Sequence, residues 1–157
     1  MLNGIIEYDG RHTISNLNLS QIDARDVSND IKFIRNTAWT CEELLSFNRN
    51  FLKSIVKQTG TGFLIIDDTV IEKHGKPKKI ESLGWHYSHS KGRTVYGHSL
   101  VTSHYRSGNI SFPYDFRFYL NSNVATKSGE VFKTKPDIAC ELIEKFEPFT
   151  GDKIYCL

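Results

Sequence analysis

Asp67 and Asp68 stand side by side after four apolar residues, in the stretch FLIIDDTVIEKHGKPKK that runs from Phe63 to Lys79. A short continuous apolar run reads as a strand covered on both faces. Driving such a strand into carboxylates is costly unless each charge is paired, hydrogen-bonded or bound to a cation. Hard carboxylate oxygens suit Mg²⁺, and paired divalent ions serve phosphoryl transfer by activating the attacking oxygen and stabilising the leaving one. Side chains alternate along a strand, so Leu64, Ile66 and Asp68 share one face and Ile65 and Asp67 the other. The spacing leaves open which aspartate is the principal ligand.

Basic residues flank the pair. Lys76, Lys78 and Lys79 follow it, and Lys91 and Arg93 lie farther on. Their functional reading is contact with DNA phosphates, which positions a duplex without reading its sequence. The plain alternative is a solvated loop. His86, His89, His98 and His104 have no zinc-type spacing and read as polar residues of a half-buried sheet. His98 falls on the strand expected to neighbour Asp68, which makes it a near-site candidate. Cys41, Cys140 and Cys156 are far apart with no C-x-x-C pair, as expected of reduced thiols in a cytoplasmic protein. Lys and Arg exceed Asp and Glu by 20 to 18, so a nucleic-acid footprint must come from clustering rather than net charge. No apolar run approaches the roughly 20 residues needed to span a bilayer, and no signal peptide is apparent.

Residues 1–59 read as a helical region. Thr40 with Glu43 forms a capping box, followed by a stripe of Leu44, Phe51, Leu52, Ile55 and Val56. A short helix over Asp30–Arg35 would turn Ile31 and Ile34 inward. Gly60-Thr61-Gly62 marks a boundary, and residues 60–157 change period. Strands are predicted over Phe63–Ile66, Val95–Tyr105 and Ile110–Leu120. In the third, Ile110, Phe112, Tyr114, Phe116, Phe118 and Leu120 alternate onto one face as core, with Ser111, Asp115, Arg117 and Tyr119 opposite. Pro113 argues for a sheet edge. A loop leads to a helix over 134–146 with apolar Ile138, Leu142, Ile143 and Phe146, and KIYCL (153–157) begins another strand.

The order implies an α/β (α+β) fold: three antiparallel strands, a crossover helix, and a fourth strand returning parallel to the first. Asp67 and Asp68 would then stand at the end of the first strand, beside the end of the fourth. A chain ending in mid-strand is expected to be a fragment.

Three segments carry a resemblance: LIIDDTVIEK, GWHYSHSKGRTVYGHSLVTSHY and ISFPYDFRFYL. Together they resemble insertion-sequence transposases with an Asp-Asp-Glu (DDE) catalytic domain of the RNase H-like fold. SNDIKFIRNTAWTCEELLSF resembles the helical N-terminal segment of one branch of that group. The resemblance covers residues 27–120 closely and the rest by element order. In that family the first catalytic aspartate directly precedes a threonine, which selects Asp68 before Thr69, and Asp67 falls where relatives tolerate a second acid. Ser88 stands where members often carry an acidic residue. The family's second aspartate follows the fourth strand and its glutamate lies on a later helix, so neither is present here. The resemblance implies Mg²⁺-dependent strand cleavage and transfer on transposon ends and target DNA, by a homodimer with no membrane association. A chain with one of three ligands is expected to be inactive alone. Two other readings are an RNase H-like nuclease of another branch and a non-catalytic DNA-binding or regulatory remnant.

Overall fold

The computed structural model describes residues 9–10, 13–19, 26–38, 40–55, 60–75, 80–149 and 151–157. Its contacts group into two compact units, Met1–Leu44 and Leu45–Leu157. In the first, α1 (Ile14–Leu19) and α2 (Val27–Asn36) are tied by a hydrogen bond of 2.8 Å from the Asn18 amide to the Asp30 carboxylate. The Asp26 carboxylate caps α2 by accepting from the Ser28 N–H. Ile31 and Ile34 do not turn inward as the spacing predicts; they are 37% and 42% exposed.

Helix α3 (Cys41–Ile55) begins with the predicted capping box. The Thr40 N–H donates to Glu43 Oε2 at 2.7 Å, and the Glu43 N–H donates to Thr40 Oγ1 at 3.2 Å. Of its expected apolar stripe, Leu52 packs on the core of the second unit, while Leu44 and Phe51 are exposed and Val56 lies outside the described residues.

The second unit is built on a five-stranded mixed sheet: β1 (Thr61–Glu72), β2 (Gly84–Ser88), β3 (Arg93–Ser107), β4 (Ile110–Tyr119) and β5 (Lys153–Cys156). The long central strand β3 runs antiparallel to β1 on one side and to β2 and β4 on the other; β5 pairs parallel with β1. With its crossover helix this is an RNase H-like α/β arrangement. The first strand extends well beyond the predicted Phe63–Ile66. Asp67 and Asp68 sit in mid-strand, opposite Thr102 and Val101, rather than at its end. Cross-strand pairing overrides the low strand propensity of aspartate. A further strand, β2, lies between the predicted strands Phe63–Ile66 and Val95–Tyr105.

One face of β3 is fully enclosed: Val95, Ser99, Val101, Ser103, Tyr105 and Ser107 are all buried on it. Tyr105 clusters with Phe112, Tyr114 and Phe149, while Val101 packs on Ile138 and Leu142 of α5 (Lys135–Glu144) together with Ile66 and Tyr119. The Asp152 carboxylate accepts hydrogen bonds from the Tyr105 hydroxyl and the Gly60 N–H, which fastens the entry to β5 against the start of β1. Burial and this bond push the Tyr105 phenol up to about 12.

Strand β4 does not keep the predicted alternation. Ser103 pairs with Asp115 but His104 with Pro113, so a bulge at Tyr114 shifts the register by one. Beyond it the parity flips. Asp115 and Tyr119 join the covered face, and Phe118 turns out to 45% exposure. The Asp115 carboxylate is held there by Arg117 Nη1 at 2.5 Å and Arg49 Nη1 at 3.9 Å. Pro113 lies on an edge strand, as expected. The segment after β4, predicted as loop, contains α4 (Ser122–Ser128), capped by Asn121 at its start and by left-handed Gly129 at its end.

The closest backbone approach in the sheet lies at Gly97, where a Cβ would come within 2.1 Å of the Ile71 carbonyl oxygen. Gly97→Ala is therefore expected to lower stability by about 2–4 kcal/mol, since backbone must move to admit it. Gly92→Ala, at φ 62° with open space around it, is expected to cost about 1 kcal/mol. Urea unfolding of the two variants checks the contrast.

Candidate active site

Strand parity resolves which aspartate faces the covered side. Leu64, Ile66 and Asp68 pair with Tyr105, Ser103 and Val101, all on the enclosed face. Asp67 falls on the opposite face, and its Oδ1 accepts the Asp68 N–H at 2.8 Å. The Asp68 carboxylate lies at the margin of the α5 layer with 41% of its side chain exposed. It opens on a cleft of about 340 Å³ lined by Asp67–Val70 of β1 and by Tyr87, Ser88, His89 and Ser90 at the β2–β3 turn. The end of β5 arrives close by. The Leu157 N–H donates to the Leu64 carbonyl at 2.9 Å, and the Ile66 N–H donates to the Leu157 carbonyl at 3.0 Å. Parallel β5 thus reaches β1 two residues before Asp68.

Lys135, at the first position of α5, places Nζ 2.5 Å from Asp68 Oδ2 and 5.4 Å from the Tyr119 ring centroid. Sequence reading missed this residue. A signal was present: a cation in the first turn opposes the helix dipole, so a lysine there asks for a nearby carboxylate. The helix start is otherwise secured by the Thr134–Asp137 capping box. Of the cleft residues, Tyr87 and Ser90 carry no signal in the sequence, and His89 reads there only as a polar residue of a half-buried sheet.

The other predicted residues divide. Lys91 and Arg93 both pair with the Glu72 carboxylate, Arg93 Nη2 at 3.0 Å. The two cations hold the Glu72 carboxyl below its ordinary range, the Lys91 hydrogen bond contributing most. Lys76, Lys78 and Lys79 lie outside the described residues. His98 pairs with Ile71 on the face opposite Asp68; its ring packs on Phe118, and its Nε2 lies 2.8 Å from the Glu81 carbonyl oxygen. It therefore does not share the Asp68 cleft. His86 does face the covered side, packed edge-on against Tyr119, and is 7% exposed.

A half-exposed carboxylate in a polar cleft fits a hard divalent cation in kind. It does not complete a site in number: among the described residues no three His, Cys, Asp or Glu side chains converge. Asp68 opens on this cleft with the Lys135 ammonium beside it.

A family model described as DDE superfamily endonuclease matches residues 10–153. The chain belongs to this family. No curated protein and no solved structure matches it at a significant level. Among the described residues, no helix is long and apolar enough to cross a membrane.

Two predictions follow from how the charges are held. Asp68→Asn removes a partner from a solvent-screened pair and is expected to change stability by less than about 1 kcal/mol. Asp115→Asn leaves arginines facing a site where the acid is 4% exposed, and is expected to cost about 3–5 kcal/mol. Chemical denaturation compares them. Burial, then the Lys135 ammonium and His98, depress the His86 imidazole below its ordinary 6.5. The folded state thus favours neutral His86, so its contribution is present above pH 6.5 and is lost as pH falls below it. Stability measured from pH 7 downward should fall less steeply in His86→Phe, which keeps the ring contact with Tyr119.

Proposed function

We propose that this chain carries the first carboxylate ligand, Asp68, of a transposase catalytic site of the DDE superfamily endonucleases. The observation that carries this reading is the half-exposed Asp68 carboxylate, which opens on a cleft beside the end of parallel β5. Asp68 would hold Mg²⁺ through a carboxylate oxygen, with Asp67 behind it as a second acid that turns to the other face. When bound, the metal supplies charge neutralisation at a DNA phosphate and activation of the attacking oxygen. The remaining carboxylates would follow β5 and come from a later helix, so the chain alone is inactive in this reading. Lys91 and Arg93, with Lys76, Lys78 and Lys79, would steady the DNA backbone on transposon ends and target. A homodimer would hold two ends together.

One observation favours a second reading. The Asp68–Lys135 pair satisfies the carboxylate without a metal, as suits a remnant that binds DNA and does not cut it.

Nicking of supercoiled plasmid in Mg²⁺ separates the readings. The 157-residue chain is expected to give none. A longer form that supplies the further carboxylates is expected to nick, and Asp68→Asn to reduce that by more than about a hundredfold, beyond the loss for a residue that merely supports a ligand. Undiminished nicking by the Asp68→Asn form refutes the assignment. DNA retention in a gel shift, with no nicking by any form, supports the remnant.

A further inference from the structure

We infer that Lys135 is a tethered counter-cation which a divalent ion must displace to reach Asp68. This rests on the reading of Asp68 as a metal ligand and adds a competitor to it. Lys135 Nζ is 2.5 Å from Asp68 Oδ2, so the ammonium stands in direct contact with the oxygen a cation would use. Like charges repel, and a divalent ion and an ammonium cannot both sit against one carboxylate without cost. The lysine is held at this spot by its backbone, because the Thr134–Asp137 capping box and Pro136 fix the first turn of α5. Its position at a helix N-terminus is electrostatically unfavourable for a cation, which Asp68 offsets.

The arrangement is suited to exchange. Lysine is a compact charge on a flexible stem and makes no bidentate fork with a carboxylate, unlike arginine. Both partners are partly exposed, 32% for Lys135 and 41% for Asp68, so an ion can enter from the cleft without opening the core. The paired ammonium already lies 5.4 Å from the Tyr119 ring centroid, a contact it can keep when it leaves Asp68. Two other carboxylates of the sheet meet two cations each: Glu72 meets Lys91 and Arg93, and Asp115 meets Arg117 and Arg49. Asp68 is paired with the single ammonium of Lys135.

The test is a Mn²⁺ titration of the chain, read as paramagnetic broadening of the backbone amides from Asp67 to Val70. Lys135→Met and Lys135→Gln are expected to reach half-broadening at roughly three- to tenfold lower Mn²⁺ than the parent chain, the range that loss of a partly exposed ion pair gives. Lys135→Arg is expected to need more Mn²⁺. Asp68→Asn is expected to remove the broadening in every background. Identical titrations of the parent and both uncharged variants, abolished by Asp68→Asn, overturn the competition and leave Asp68 as a ligand. Broadening that persists in Asp68→Asn, or none in any variant, overturns the ligand reading and the competition with it. Thermal unfolding of each variant confirms that the fold is retained.

Discussion

The antiparallel register between β1 and β3 decides which acid of the Asp67-Asp68 pair faces the α5 side. The ladder runs without interruption from Gly62 opposite Ser107 to Glu72 opposite Gly97. A slip of one residue would bring Asp67 under α5 and turn Leu64 and Ile66 out. Phe63 and Ile65 are apolar as well, so the apolar run does not favour one face over the other. The ladder with β3 is what puts Asp68 on the α5 side. The close contact of Gly97 with Ile71 and the Asp152 bonds to Tyr105 and Gly60 pin the two ends of the same ladder.

Carboxylates on the covered side are neutralised in graded ways. Asp115 is deep and meets two arginines, and Arg117 also donates to the Phe116 carbonyl. Asp152 is satisfied by hydrogen-bond donors rather than by a formal charge alone, accepting from a phenol, a backbone N–H and the Ser107 hydroxyl. Glu72 anchors the β2–β3 hairpin through Lys91 and Arg93. Each of these arrangements would be costly to open, because breaking it strands a charge or a donor. Asp68 differs by being nearer to water and holding one lysine. Of these acids Asp68 has the partner that is cheapest to remove.

Local signals in the chain foretold much of this. The Thr40 capping box, the helix after Thr134, the parallel return of KIYCL and the edge position of Pro113 all rest on short-range chemistry, and all appear in the structure. The misses share a different cause. The bulge at Tyr114 inserts one residue into an otherwise perfect alternation, and nothing in the pattern ISFPYDFRFYL distinguishes the face of Tyr114 from that of Phe116. The mid-strand position of Asp68 depends on partners more than thirty residues away, which override the poor strand propensity of Asp-Asp. The hairpin strand β2 was hidden by its polar turn, and with it went the lining of the cleft. The family resemblance selected Asp68, and parity in the folded sheet puts that residue on the α5 side; the two arguments are independent.

Helix α5 performs three tasks. Ile138 and Leu142 cover Val101 and Ile66, and so hold the face on which Asp68 lies. As the crossover between β4 and β5, α5 also allows β5 to return parallel and to end against Leu64 and Ile66. Its first residue carries the ammonium that meets Asp68. Because the capping box at Thr134 and Asp137 fixes that turn independently of Lys135, the charge can leave Asp68 while the helix stays in place. Packing and electrostatics at the site are therefore separable at a single side chain, although the backbone that supports both is one element.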